Sequence, residues 1–124
     1  MRDLKPVVDF LNSCRPAART ATVTGTGVDL ARKNGAVAHL HVGTVTDGTH
    51  TPTLEESDDD TTYTTVAAGD LKGSFAALAT NTDQRVGYLG SKRYVRVKVT
   101  VSGTTTGGVY GATILRGFAA KQPL

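Results

Sequence analysis

The sequence is poor in several residue types, and each scarcity excludes a class of protein. It has no tryptophan and one cysteine, Cys14, among 124 residues, so an internal disulfide cannot stabilise the fold. Charged residues make up only 20% of the chain, far from the charged, leucine-rich heptads of a coiled coil. No apolar run approaches the roughly 18 residues of a membrane-spanning helix. A single domain with a hydrophobic core and no membrane partner is therefore expected.

The charge balance and the first residues limit the partners and the compartment. The net charge of +3 is small for a dedicated nucleic-acid-binding protein, so no specific nucleic-acid partner is predicted. Charges stand on both sides of Leu4, which is unlike a signal peptide. Export by the general secretory route is not expected, and one unpaired cysteine is compatible with assembly in a reducing cytoplasm.

Threonine and glycine are abundant instead. Threonine is about one residue in six, and there are 14 glycines, a composition typical of short strands joined by tight turns. Alternation of apolar and polar residues is clearest over 93–102, where four valines alternate with polar residues. It is also clear over 36–45, where His39 and His41 point to one face of the strand and Leu40 points to the other. The predicted strands are 20–24 (continued beyond a bulge by 28–30), 36–45, 51–56, 61–66, 84–89, 93–102 and 109–116.

This series of about seven short strands predicts an all-β fold, an antiparallel β-sandwich of immunoglobulin-like or jelly-roll-like type. The strand 109–116 is nearly apolar throughout, as expected for a strand covered on both faces. Residues 51–56 and 61–66 are expected to form a hairpin. The segment 67–80 has helix-like spacing, but Gly69 and Gly73 weaken it, so a short turn or an ordered loop is predicted there.

The first 19 residues differ from the rest of the chain. They contain two of the four prolines, and Pro16 prevents a long helix. We predict an extended N-terminal arm (1–19) outside the core, followed by the sandwich (20–118) and a C-terminal tail (119–124). The arm residues expected to contact a neighbour or the protein itself are Leu4, Val7, Val8, Phe10, Leu11, Arg15 and Arg19.

Two oppositely charged groups stand apart in the sequence. The acidic run, at the tip of the predicted hairpin, consists of Glu55, Glu56, Asp58, Asp59 and Asp60. The basic group, in part on the polar face of strand 93–102, consists of Arg85, Lys92, Arg93, Arg96 and Lys98. Because complementary charges set register between subunits, we predict that the acidic run of one molecule faces the basic group of a neighbour. Nucleic-acid binding by the basic group and two solvated faces are the alternatives.

No residues suited to catalysis converge in the pattern, so we expect no enzyme, no catalytic residue and no cofactor. His39 and His41 point to one face of a strand and could chelate a metal, but no carboxylate follows them in that strand. The acidic run lacks the ligand spacing of a calcium loop. No metal site is predicted, and Cys14 is expected to be an idle thiol.

Several stretches of predicted strand and turn sequence together carry a resemblance to a known family. They are TDGTHTPTLEESDD at 46–59, RVGYLGSKRYVR at 85–96, TTTGGVYGA at 104–112, and the shorter 3–5 and 17–23. Together they resemble a family of small structural proteins of tailed bacteriophages and prophages, over nearly the whole chain. The resemblance lies in strands and turns, and it includes no catalytic signature.

The resemblance implies a structural virion protein that is assembled in the host cytoplasm. The role it favours is a capsid decoration (cement) protein or minor head protein. Such a protein would bind the major capsid protein lattice and itself, as a homo-oligomer such as a trimer. A tail or head–tail connector protein is one alternative. A β-sandwich module that binds glycans or other ligands is another, disfavoured by the lack of tryptophan.

Overall fold

The computed structural model describes residues 8–31 and 33–118 of the chain. Within those residues the fold is built from strands, with one short 3₁₀ turn at Ala68–Asp70. No helix of the described chain is long and apolar enough to cross a membrane. The strands in chain order are β1 (Val8–Arg19), β2 (Val23–Thr24), β3 (Val28–Asp29), β4 (Lys33–Val45), β5 (Thr49–Ser57), β6 (Thr64–Thr65), β7 (Leu71–Lys72), β8 (Asp83–Tyr88), β9 (Tyr94–Ser102) and β10 (Gly108–Phe118).

These strands form two antiparallel sheets around one core. Sheet A has the order β1-β10-β4-β8-β7. Sheet B has the order β2-β9-β5-β6, and β3 also pairs with β9. The prediction of an all-β antiparallel sandwich is confirmed. The predicted hairpin is present as well, because β5 pairs with β6 across the acidic turn.

Alternating side chains decide which face of each central strand is buried. In β9, Val95, Val97 and Val99 are completely buried. In β4, Leu40 is completely buried, while His41 on the other face is exposed. Each such aliphatic side chain contributes about 1.5–3 kcal/mol when it leaves water. The inner faces of β9 and β4 therefore form the centre of the core, as their alternation predicted.

Strand β10 is apolar on both faces, but the described chain covers only one of them. Tyr110 and Ile114 are buried on the inner face. Val109 and Leu115 lie on the outer face, where Val109 is exposed and Leu115 is half-buried. The sequence predicted cover on both faces, so the second layer is missing from the described residues. A strand whose apolar outer face lacks cover suits contact with another molecule.

The first described segment corrects the prediction of an arm outside the core. Residues 8–19 are a strand, β1, at the edge of sheet A, where they pair antiparallel with β10. The pairing shifts at two places, between Asn12 and Cys14 and between Cys14 and Ala17. Pro16 falls in the second shift. Proline has no amide hydrogen to donate, and at a register shift the strand does not require that hydrogen bond. Cys14 is buried in the core, so β1 closes the sandwich.

Ser13 connects β1 to sheet B. Its hydroxyl donates a hydrogen bond to the Thr26 carbonyl at 3.0 Å and accepts one from the Val97 amide at 2.9 Å. The Thr26 amide donates to the Ser13 carbonyl at 2.7 Å. Gly25 lies beside this junction, and a Cβ there would be 2.6 Å from the Val97 carbonyl oxygen. The close approach of β1 to β9 therefore requires glycine at position 25.

The segment between β6 and β8 is an ordered connection, as predicted. It contains the 3₁₀ turn and the short strand β7, and the helix-like spacing yields no α-helix. Leu78 is buried, Phe75 packs against the core, and the Leu78 amide donates to the His50 carbonyl at 2.9 Å. The C-terminal tail 119–124 and the predicted arm residues Leu4 and Val7 lie outside the described residues.

Candidate interaction surface

Glu55 and Arg96 form an ion pair within one chain. They are direct partners on the neighbouring strands β5 and β9, and Arg96 Nε lies 2.8 Å from Glu55 Oε1. The Glu55 side chain is only 11% exposed. The Arg96 guanidinium also stacks on the Tyr63 ring, at 3.8 Å from its centroid, which adds a cation–π contact. This pair joins β5, β9 and the acidic hairpin.

The tip of the acidic run is an ordered turn held by its own carboxylates. Lys92 Nζ lies 2.8 Å from Asp58 Oδ2. The backbone amides of Thr62 and Thr61 donate to the Asp59 carboxylate at 3.0 and 2.9 Å. These amide hydrogen bonds lower the pKa of Asp59 to about 2. The carboxylates of Asp58 and Asp59 are therefore bound by groups of the same chain.

Two tyrosine hydroxyls donate hydrogen bonds to the remaining acidic side chains of the run. Tyr88, buried on β8, donates to Glu56 at 2.7 Å. Tyr63 donates to Asp60. Burial, followed by the hydrogen bond to the carboxylate, raises the pKa of both phenols. All five carboxylates of the acidic run thus have partners in the same chain.

The basic group is divided between paired and exposed positions. Arg93 binds both carboxylate oxygens of Asp29, at 3.0 and 2.9 Å. The hydrogen bond from Arg93 lowers the pKa of Asp29 to about 2. Arg85 is exposed on β8, and Lys98 is half-buried on β9. Of this group, Arg96 and Lys92 contact the acidic run within one chain, at Glu55 and Asp58. The predicted contact between groups of different molecules stays a prediction for the other basic residues.

The Glu55–Arg96 pair is expected to contribute to stability because it is mostly shielded from water. Replacing Arg96 by Met leaves the Glu55 carboxylate without its cation and should lower the free energy of unfolding by about 2–4 kcal/mol. The double variant Glu55→Gln/Arg96→Met should lose less than the two single losses combined. Urea unfolding measures all three. Lys92→Met, which breaks an exposed pair, is the control and should have a smaller effect. Additive losses would contradict the coupling.

The outer face of sheet A carries a row of apolar side chains across three strands. Phe10 on β1 lies opposite Leu115 on β10, and Leu115 lies opposite Val37 on β4. Side chains opposite each other in this way are about 4.5–5.5 Å apart at Cβ. Phe10 is 70% exposed, and Leu115 and Val37 are half-buried. We call Phe10, Leu115 and Val37 the outer apolar row.

The other predicted arm residues have different surroundings. Val8 lies two residues before Phe10 on β1 and is half-buried. Leu11 packs against the core from the inner face. Arg15 is exposed, and its carbonyl accepts a hydrogen bond from Arg19 Nη2 at 2.7 Å. Of the described arm residues, Phe10 offers the largest exposed apolar surface. Sequence reasoning missed Val37 and Leu115, whose apolar alternation on the outer face was the available signal.

Comparison with known proteins bears on the fold. No family model matches the sequence, and no curated protein matches it significantly. The fold is similar to the crystal structure of the PBSX exported protein XepA, with a TM-score of 0.63 and 21% sequence identity. The alignment covers 100% of this chain and 41% of that one. The chain thus corresponds to less than half the length of XepA, and the likeness establishes a shared fold.

A cleft at one end of the sandwich is the place where a small ligand would be sought. It has a volume of about 530 Å³, and its lining includes Leu30, Tyr88, Leu89 and Arg93. Tyr88 is the aromatic side chain in this lining, but it is buried and its hydroxyl is bound to Glu56. A glycan-binding cleft would normally present an exposed ring for stacking. The described lining does not, so this cleft gives the glycan-binding alternative no support.

The thiol of Cys14 is buried in the core. Its Sγ lies 3.5 Å from the Val97 carbonyl oxygen, to which it donates. Burial raises the pKa of this thiol, which keeps it in the unreactive protonated form at neutral pH. Cys14 therefore acts as a small core side chain at the contact between β1 and β9.

Proposed function

We propose that this chain is a structural protein of a tailed bacteriophage or prophage, and that it binds the capsid lattice as a decoration protein through the outer face of sheet A. The observation that carries the proposal is the outer apolar row, which lies on three strands whose inner faces contribute to the core. A rigid sandwich with an apolar outer face can cover a protein lattice without any catalytic residue. Repetition over many lattice positions strengthens modest single contacts.

Two further observations support a phage origin. Stretches over most of the chain resemble small phage structural proteins. The fold is also similar to that of XepA, an exported protein of the prophage PBSX. The major capsid protein and further copies of this chain are the proposed partners. The charged groups have a smaller part in this proposal than the sequence predicted, because Glu55, Asp58, Lys92, Arg93 and Arg96 form ion pairs within the chain.

Binding to particles of the encoding phage tests the proposed surface. Phe10→Ser and Leu115→Thr should each weaken co-sedimentation with particles at least tenfold, as expected when an apolar anchor is removed from an interface. Leu89→Ser is the matched control, since Leu89 is also a large exposed apolar residue but lies in the end cleft. Thermal unfolding checks that the variants fold. Undiminished binding by Phe10→Ser and Leu115→Thr would overturn the proposal.

A second candidate function is an exported phage factor that acts outside the particle. The similarity to XepA favours it, because XepA is an exported protein. Density-gradient separation after phage induction distinguishes the two candidates. A decoration protein sediments with particles, whereas an exported factor is found in the medium away from them.

A further inference from the structure

Two histidines project side by side from the outer face of sheet A. His39 and His41 are two residues apart on β4, so their side chains leave the same face of the strand. Their ring centroids are 5.8 Å apart. From the sequence alone the pair lacked a third ligand, because no carboxylate follows it along β4. The sheet supplies that ligand from another strand.

Asp83 stands beside both histidines because of the register between β4 and β8. It is the direct partner of His41 in the ladder. Its Oδ1 lies 3.1 Å from His41 Nδ1, and its Oδ2 lies 3.8 Å from His39 Nε2. Asp83 lies 42 residues after His41 in the chain, since 83 − 41 = 42. Their juxtaposition is therefore a product of the fold.

We propose that His39, His41 and Asp83 bind one divalent transition-metal ion, and that Zn²⁺ is the ion they suit. One ligand atom from each residue lies within 4.8 Å of the other two. Tetrahedral zinc with bonds of about 2.0–2.1 Å needs ligand atoms about 3.4 Å apart. The side chains must therefore close in by little more than an ångström.

Exposure makes that adjustment inexpensive. The side chains of His39, His41 and Asp83 are 36%, 75% and 53% exposed, so their rotamers can change without disturbing the core. β4 pairs with β8 from Ala36 to His41, and this ladder fixes the backbone of the histidines relative to that of Asp83. A metal ion would add a cross-link between β4 and the beginning of β8.

The chemistry of the donor set selects the ion. Two imidazole nitrogens and one carboxylate oxygen suit zinc and its neighbours in the first transition series, whereas calcium and magnesium prefer oxygen ligands. Three protein ligands leave a fourth position of a tetrahedral ion open to water or to a side chain of another molecule. The site faces the same side of sheet A as the outer apolar row, but its metal binding does not depend on the proposed function.

Isothermal titration of the full-length, tag-free protein with Zn²⁺ alone tests the site, after chelator treatment and dialysis. Saturation at one ion per chain is expected, with a rise in the thermal unfolding midpoint because the ion binds only the folded site. Asp83→Asn, His39→Ala and His41→Ala should each weaken binding at least tenfold. Asp70→Asn removes a carboxylate elsewhere and should bind like the wild-type protein. Unfolding midpoints without metal check the fold of each variant.

The position of the third ligand is the point on which the proposal can fail. If Asp83→Asn binds Zn²⁺ as tightly as the wild-type protein while the histidine variants do not, the ion is held by two histidines and the three-residue site is wrong. Uptake that does not saturate, or no uptake at all, also overturns the proposal. His50 does not interfere with these measurements, since it is buried and both its ring nitrogens have partners.

Discussion

A chain that begins at Thr20 is expected to lose its cooperative fold. The truncation removes β1, which pairs with β10 along the edge of sheet A. It takes away the buried side chains of Ser13 and Cys14 and leaves the Thr26 carbonyl and the Val97 amide without the Ser13 hydroxyl. Domains of this size are typically stabilised by only about 5–15 kcal/mol. Losing an edge strand with two buried residues is expected to cost about 5 kcal/mol or more, which is between a third and all of that stability. Thermal and urea unfolding followed by circular dichroism measure the loss.

A chain that begins at Val8 is the matched control for this truncation. It keeps all of β1 and should unfold cooperatively. The comparison separates two accounts of the N-terminal segment. If the segment were an arm on the surface, both truncated chains would fold with similar midpoints. An unchanged midpoint for the chain that begins at Thr20 would therefore contradict the role of β1 described above.

Replacing His50 by Ala is expected to cost about 3 kcal/mol of unfolding free energy. His50 is completely enclosed and bonded at both ring nitrogens. The Asp47 carbonyl, 3.1 Å from Nε2, can only accept, so Nε2 carries the hydrogen. Nδ1 then accepts from the Tyr110 hydroxyl at 2.8 Å. Alanine leaves a cavity and a buried hydroxyl without its partner, and these costs add. Urea unfolding measures the change.

Tyr110→Phe is the control that isolates the hydrogen bond. It keeps the ring that stacks edge-on to His50, with centroids 5.2 Å apart, and removes only the hydroxyl. The expected loss is about 1–3 kcal/mol, because the buried Nδ1 loses its donor. The double variant His50→Ala/Tyr110→Phe should be less destabilised than the two single losses together. Equal stability of His50→Ala and the wild-type protein would show that His50 is not a structural residue.

Much of the sandwich could be predicted from local pattern. The alternation in β9 and β4 correctly identified their buried faces, since a strand places successive side chains on opposite sides. The acidic hairpin also followed from its turn residues. β1 was missed because two register shifts and Pro16 interrupt it. Across such a shift, apolar and polar side chains no longer alternate with a period of two residues, so the sequence pattern does not indicate a strand. The pairing of that strand with β10 is a contact between opposite ends of the chain.

The candidate surface was predictable only in part. Phe10 was predicted as a contact residue of the arm, and the structure leaves its side chain 70% exposed. Leu115 and Val37 were not, because a one-dimensional pattern does not say whether an apolar face is covered by a second layer. His39 and His41 were recognised as a pair of possible ligands. Asp83 was not, because its proximity depends on the register between β4 and β8.

By itself, the sequence determined the all-β class, the buried faces of the central strands and the ordered acidic turn, since all three depend on residues close together in the chain. The tertiary structure alone decided the partners. It placed Glu55 against Arg96 inside one molecule, Ser13 against β9, and Asp83 beside two histidines. Each of these contacts is set by strand order and register, which are consequences of how whole faces pack and are not encoded in any short segment.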